Sequence, residues 1–109
     1  MKITWKGHAC FFIETDGKSI VCDPFNEGVG YPLFKGRADL VTISHDHWDH
    51  NAAHLVEGEP LVIKETGSFI YEEIDILGIP SYHDKCSGGD RGENIIYKII
   101  AGGINLVHL

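Results

Sequence analysis

Short apolar runs separated by glycine, proline and acidic turn residues dominate the chain, a pattern that predicts strands rather than helices. Ile3–Trp5, Cys10–Glu14 and Ser19–Asp23 read as three strands. Asp16-Gly17 between the second and third is a hairpin turn, since such turns require a positive φ that glycine tolerates. Asp23-Pro24 ends the third strand, and Asn26 to Gly36 is a glycine-containing loop. Ala38–Ser44 is the clearest buried strand, with Leu40, Val41 and Ile43 closely spaced and His45 at its end. Asp49–Glu57 is the one stretch with a helical pattern, capped by Asp49 or Asn51 and stopped by Gly58 and Pro60. Leu61–Lys64, Ser68–Tyr71, Ile74–Leu77 and Ile79–Tyr82 follow as short extended segments, and His83 to Glu93 is a polar, glycine-rich loop. Asn94–Ile100 alternates apolar and polar positions, and Gly102-Gly103 turns it back into Ile104–Leu109. That last strand is apolar to its end. A free hydrophobic edge invites pairing with another chain, so it is expected to sit inside an oligomer or to belong to a larger fold.

Composition narrows the class. The 109 residues suffice for one domain, and 43% hydrophobic with 23% charged residues excludes wholesale disorder. Sixteen Asp and Glu against nine Lys and Arg argue against a surface that grips nucleic-acid phosphates by bulk charge. The same balance leaves a small anionic substrate open, because a bound cation dominates the field of its own pocket. No apolar run approaches the roughly 20 residues that span a bilayer, and no apolar segment follows the basic N-terminus as a signal peptide requires. Cys10, Cys22 and Cys86 lack any C-x-x-C spacing, and the first two sit in apolar runs, which suits buried thiols in a reducing cytoplasm.

The sharpest chemical signal is His45-Asp46-His47-Trp48-Asp49-His50, an H-x-H-x-D-H pattern. On an extended strand end, residues two apart project to one side, so His45 and His47 can share a cation. Where the chain turns, Asp49 and His50 can swing into the same cavity. Three imidazoles and a carboxylate suit zinc, iron or manganese better than calcium or magnesium, which prefer oxygen. A surface histidine patch is the alternative. Asp23, at a strand end, either caps its turn or orients a metal-bound histidine by accepting its second N–H. The Ser87–Gly92 loop either holds an anion through Arg91 and its backbone N–H groups or is simply solvated. His54 reads as a surface or packing residue, His108 as a strand residue, and Trp48 as a cavity wall or packing residue. No G-x-S-x-G elbow or phosphate-binding loop is present.

These residues carry a family resemblance. HDHWDH at 45–50, Trp5-Lys6-Gly7-His8-Ala9, Asp23-Pro24-Phe25, His83 in IPSYHDKCSGGDRGENIIY and the closing GGINLVHL together resemble the metallo-β-lactamase superfamily. Within it they are most similar to small metal-dependent hydrolases of the ascorbate-phosphate lactonase type. The resemblance implies that His45, His47 and His83 hold a first metal, and that Asp49 and His50 belong to a second. It places His8 near the cavity as a substrate or supporting contact; a solvated turn histidine is the alternative. The family's bridging aspartate and final histidine have no counterpart here, and the sequence stops where the family continues with Gly-Asp. The implied fold class is therefore α+β and strand-rich, with residues 1–109 forming one half-length domain of an αβ/βα sandwich.

The expected function is a metal-dependent hydrolase whose metal-bound hydroxide, formed near pH 7 on zinc, attacks an ester, lactone or phosphodiester. Asp49 is its catalytic candidate, orienting the nucleophile and relaying its proton. Zinc is the expected ion, one held by the isolated chain and two only in an assembly that restores the missing half, with manganese or iron as the alternatives. The rival expectation is a metal-binding half-domain, inactive alone and completed by homo-oligomerisation or a second chain. A nuclease is a weaker third reading, disfavoured by the acidic surface.

Overall fold

The computed structural model describes residues 1–45, 50–82 and 93–108. They form two sheets. The first contains β1 (Lys2–Gly7), β2 (Cys10–Thr15), β3 (Lys18–Cys22), β4 (Leu40–Thr42) and β5 (Leu61–Ile63), in sequential order. β1, β2 and β3 pair antiparallel, whereas β3, β4 and β5 run parallel. The second sheet is an antiparallel meander of β6 (Gly67–Tyr71), β7 (Ile74–Tyr82), β8 (Glu93–Ala101) and β9 (Ile104–His108).

The alternation read from the sequence decides how these sheets pack. Ile20 and Cys22 point to one side of β3 and Val21 to the other; Leu40 and Val41 divide in the same way. Ile13, Ile20, Leu40 and Ile63 from the first sheet meet Ile74, Ile76, Tyr97 and Ile99 from the second in one apolar layer. The outer face of the first sheet buries Cys10, Val21 and Val41 under Phe25, Phe34, Ala38 and Val56. These covering residues lie in the two crossovers that parallel pairing demands, since parallel neighbours cannot be joined by a tight turn.

The two tight turns form as expected. Asp16-Gly17 has φ of 51° and 75°, and Gly102-Gly103 has 55° and 75°, the left-handed pair that two-residue hairpins require. Three expectations need correction. Ile74–Leu77 and Ile79–Tyr82 are one strand, β7. Gly78 does not break it; the glycine admits the Glu65 carbonyl, which would lie 2.8 Å from a Cβ there. The expected helix at Asp49–Glu57 is absent over its described part, where residues 50–57 hold only a 3-10 turn, Ala53–Leu55. Its backbone is committed elsewhere: Ala52 N–H donates to the Pro24 carbonyl (2.8 Å) and Glu57 N–H to the Gly36 carbonyl (2.9 Å). The α component of the expected α+β class is thus missing among the described residues, which form a strand-rich two-sheet structure. No helix among them is long and apolar enough to cross a membrane.

Two contacts tie the second sheet to the ends of the parallel strands. The buried Tyr97 hydroxyl lies 2.8 Å from the Ile43 carbonyl and 3.0 Å from that of Ile63, and Ile95 N–H donates to the Ser44 carbonyl at 2.7 Å. A single hydroxyl proton shared by two buried carbonyls is hard to replace. Tyr97→Phe is expected to cost about 1–3 kcal/mol of unfolding free energy, measured by urea denaturation.

Cys10 and Cys22 are buried free thiols, and burial pushes both from 9.0 up to about 12. Their folded-state pKa lies above the unfolded one, so the unfolded chain releases these protons first. Their contribution is fully present below pH 9 and is lost as pH climbs from about 9 toward about 12. A melting series on wild type and Cys22→Ala should show the steeper alkaline loss in wild type. At pH 8 an aromatic disulfide reagent should modify Cys10 and Cys22 only after unfolding.

Candidate metal centre

The antiparallel and parallel pairings bring three chain segments to one edge of the first sheet: the turn after β1, the end of β3 and the end of β4. This is the crevice beyond the carboxyl ends of parallel strands, where open sheets place their sites. His8 occupies the first segment, Asp23 the second, and Ser44 with His45 the third. His50 joins them because the segment after it is moored to the end of β3, through Ala52 N–H to the Pro24 carbonyl and Asn26 Nδ2 to Asn51 Oδ1 (3.4 Å).

Asp23 is the centre of this arrangement. It is 1% exposed, and its carboxylate accepts from Ser44 N–H at 2.7 Å, Ser44 Oγ at 2.5 Å and His50 Nδ1 at 3.1 Å. Burying a carboxylate is tolerable when donors surround it. The network also fixes protons. The Ser44 hydroxyl has one proton and gives it to Asp23, so its oxygen accepts from His45 Nδ1 at 3.0 Å. His50 likewise donates from Nδ1. Both imidazoles therefore donate from Nδ1, which leaves Nε2 as the second donor atom of each, with ring centroids 3.9 Å apart. Carboxylate-backed histidines of this kind are the usual surroundings of a metal ligand.

His8 closes the other side, with Nε2 3.2 Å from His50 Nε2 and its ring centroid 4.7 Å from that of His50. Its own position is built in. The Trp5 indole N–H donates to the His8 carbonyl at 2.9 Å, and His108 of β9 bonds through Nε2 to the neighbouring Ala9 carbonyl at 2.9 Å. His8 and Asp23 both hold positive φ, 52° and 47°. Strained backbone at two members of one cluster is what functional sites tend to retain.

Of the residues expected from the sequence, the fold thus gathers His8, Asp23, His45 and His50. His54 stands exposed on the 3-10 turn. His47, Trp48, Asp49, His83 and Arg91 lie outside the described residues, and among the described residues no three His, Cys, Asp or Glu form a complete ligand group. The donor chemistry nevertheless suits a zinc-class cation: two imidazoles held through Nδ1, with Nε2 as the second donor atom of each ring. Sequence reasoning assigned no role to Ser44 or Trp5. Ser44's place directly before the histidine motif was the available signal, and Trp5 stood only within the Trp5–Ala9 resemblance, with no role attached.

Asp23→Asn replaces one acceptor by an NH2 group that must face a donor, either Ser44 or His50. It is expected to lose about 3–5 kcal/mol of stability, and Ser44→Ala about 1–3, both read by urea unfolding of the metal-free protein.

Comparison with known proteins agrees with this architecture. A family model described as a β-lactamase superfamily domain matches residues 2–109. A UPF0173 metal-dependent hydrolase of Methanopyrus kandleri is 42% identical over 109 residues, covering 97% of this chain and 42% of that protein. A Thermotoga maritima protein assigned as a Zn-dependent hydrolase of the metallo-β-lactamase superfamily superposes with a TM-score of 0.80 at 41% identity, over 98% of this chain and 47% of that one. CmlA, a diiron β-hydroxylase from Streptomyces venezuelae, shares the fold at 18% identity, with a TM-score of 0.69 over 97% of this chain and 28% of its own. The chain spans less than half the length of these proteins. With its two packed sheets and its histidine cluster at the ends of the parallel strands, the chain belongs to the metallo-β-lactamase superfamily, alongside relatives named metal-dependent hydrolases.

Proposed function

We propose that this chain is the metal-holding half of a hydrolase that cleaves an ester, lactone or phosphodiester, one half of an αβ/βα sandwich. The observation that carries the reading is the pairing of His45 and His50 on the Ser44–Asp23 support, which engages Nδ1 of both rings. His45, His47 and His83 would hold the first cation, and Asp49 and His50 would contribute to a second. Zinc is the favoured ion, consistent with the Thermotoga maritima relative, and manganese and iron suit the same donors. A bound cation of this class supplies an activated water near neutral pH and polarises the attacked group.

The chain's own residues have distinct tasks. Asp23 and Ser44 engage Nδ1 of His50 and His45, which selects Nε2 of each ring as the atom offered to a cation. Asp49 orients the attacking water and accepts its proton as oxygen bonds to the carbonyl carbon or phosphorus. That proton leaves with the departing oxygen when the bond to it breaks. His8, on the open side of the cluster, is placed to contact the substrate. Buried reduced thiols suit a cytoplasmic setting.

The test is chelation followed by reconstitution. Zinc added to chelator-treated protein should bind at stoichiometric amounts, and His45→Ala should weaken binding at least about 100-fold, whereas Asp23→Ala should weaken it about 10–100-fold. Hydrolysis of a panel of esters, lactones and phosphodiesters should depend on the restored metal. Zinc binding without hydrolysis would favour a half-domain completed by another chain. Failure to bind zinc, manganese or iron would overturn both readings.

A further inference from the structure

Beside the His8 turn lies an open groove of about 880 Å³, lined by Trp5, Lys6, Tyr31, Pro32, Phe34 and Lys35 among others. Its volume is in the range of small-molecule sites. Trp5 and Tyr31 are 57% and 45% exposed, an unusual outlay of aromatic surface in so small a chain. Their rings meet edge to face, with centroids 5.6 Å apart and planes at 67°. The pair is held in place. Tyr31 lies so close over Gly7 that a Cβ there would sit 2.4 Å from the ring, and Gly7 also has φ of 104°. Only glycine meets both conditions.

The groove is joined to the histidine cluster. Trp5 donates to the His8 carbonyl, Gly7 precedes His8, and Tyr31 packs on Phe25, whose ring centroid lies 6.3 Å from that of His8. Its charge is opposite to that of the molecule. Lys6 and Lys35 face one carboxylate, Glu27, in a chain of net charge -7. Among the described residues neither lysine forms an ion pair with a carboxylate, and Lys6 rests with its ammonium 5.8 Å from the Phe12 ring centroid. A cation–π contact positions an ammonium without neutralising it.

We propose that this groove binds a small organic anion bearing a flat apolar ring, the ring against Trp5 and Tyr31 and the anionic group at Lys6 and Lys35. Such an anion is the class of substrate delivered to the histidine cluster. That last step rests on the hydrolase reading; the binding itself does not.

The experiment is calorimetric titration of the chelator-treated, metal-free protein with 1-naphthyl phosphate, 2-naphthol and inorganic phosphate. Saturable binding is expected for naphthyl phosphate, with naphthol weaker and inorganic phosphate weakest. Lys6→Gln with Lys35→Gln should weaken naphthyl phosphate about tenfold and leave naphthol unchanged. Tyr31→Phe should preserve both affinities, and Tyr31→Ala should reduce both about fivefold or more, far-UV circular dichroism confirming that each variant folds. Lys64→Gln, exposed just after β5, should change nothing. No saturable binding, inorganic phosphate binding as tightly as the naphthyl ester, or a double lysine variant equal to wild type would each overturn the proposal. Because no metal is present, these failures would leave metal-dependent hydrolysis standing, whereas loss of hydrolysis with intact binding would count against the hydrolase reading alone.

Discussion

A buried carboxylate that must be surrounded by donors is the constraint on which this structure turns. Asp23 sits beyond the end of β3 with almost no access to water, and its three donors come from Ser44, just after β4, and from His50 further along the chain. Satisfying the carboxylate therefore draws Ser44 and His50 to the end of β3. The second sheet reinforces this, because Ile95 N–H and the Tyr97 hydroxyl hold the carbonyls of Ser44 and Ile43 from the other side of the core. Fold and site share one set of bonds: the residues that join the two sheets at this edge also decide which nitrogen of each imidazole is engaged.

This explains how a short chain can orient two imidazoles with few residues. Histidine has two usable nitrogens, and an unsupported ring would divide its proton between them. Here Nδ1 of His45 is committed to Ser44 and Nδ1 of His50 to Asp23. The hairpin tip is fixed by a second group of contacts, from Trp5 to His8 and from His108 to Ala9, so the exposed His8 is carried on a braced turn. The aromatic groove extends from the same turn.

Much of the fold was legible because strand alternation and turn chemistry are local. The pairs Asp16-Gly17 and Gly102-Gly103 each announce a hairpin through φ alone, and the split burial of Ile20, Val21 and Cys22 follows from a period of two. The failures are tertiary. A helical pattern at Asp49–Glu57 was overridden where Ala52 and Glu57 donate to distant loops instead of to their own segment. Gly78 looked like a break because the Glu65 carbonyl pressing on it belongs to another part of the chain. At the site, the histidine motif and Asp23 stood out by residue type and position. Ser44 and Trp5 did not, since a serine hydroxyl or an indole N–H acquires its role only from the partner it meets in space.

The central claim is that the Asp23–Ser44 support fixes the tautomers of His45 and His50. Long-range nitrogen–proton correlation NMR on the imidazoles of the metal-free protein reads this directly. The account predicts that in the neutral form both rings carry their proton on Nδ1, with Nε2 showing the shift of an unprotonated nitrogen. A proton found on Nε2 of either ring, or averaging between the two nitrogens, would contradict it.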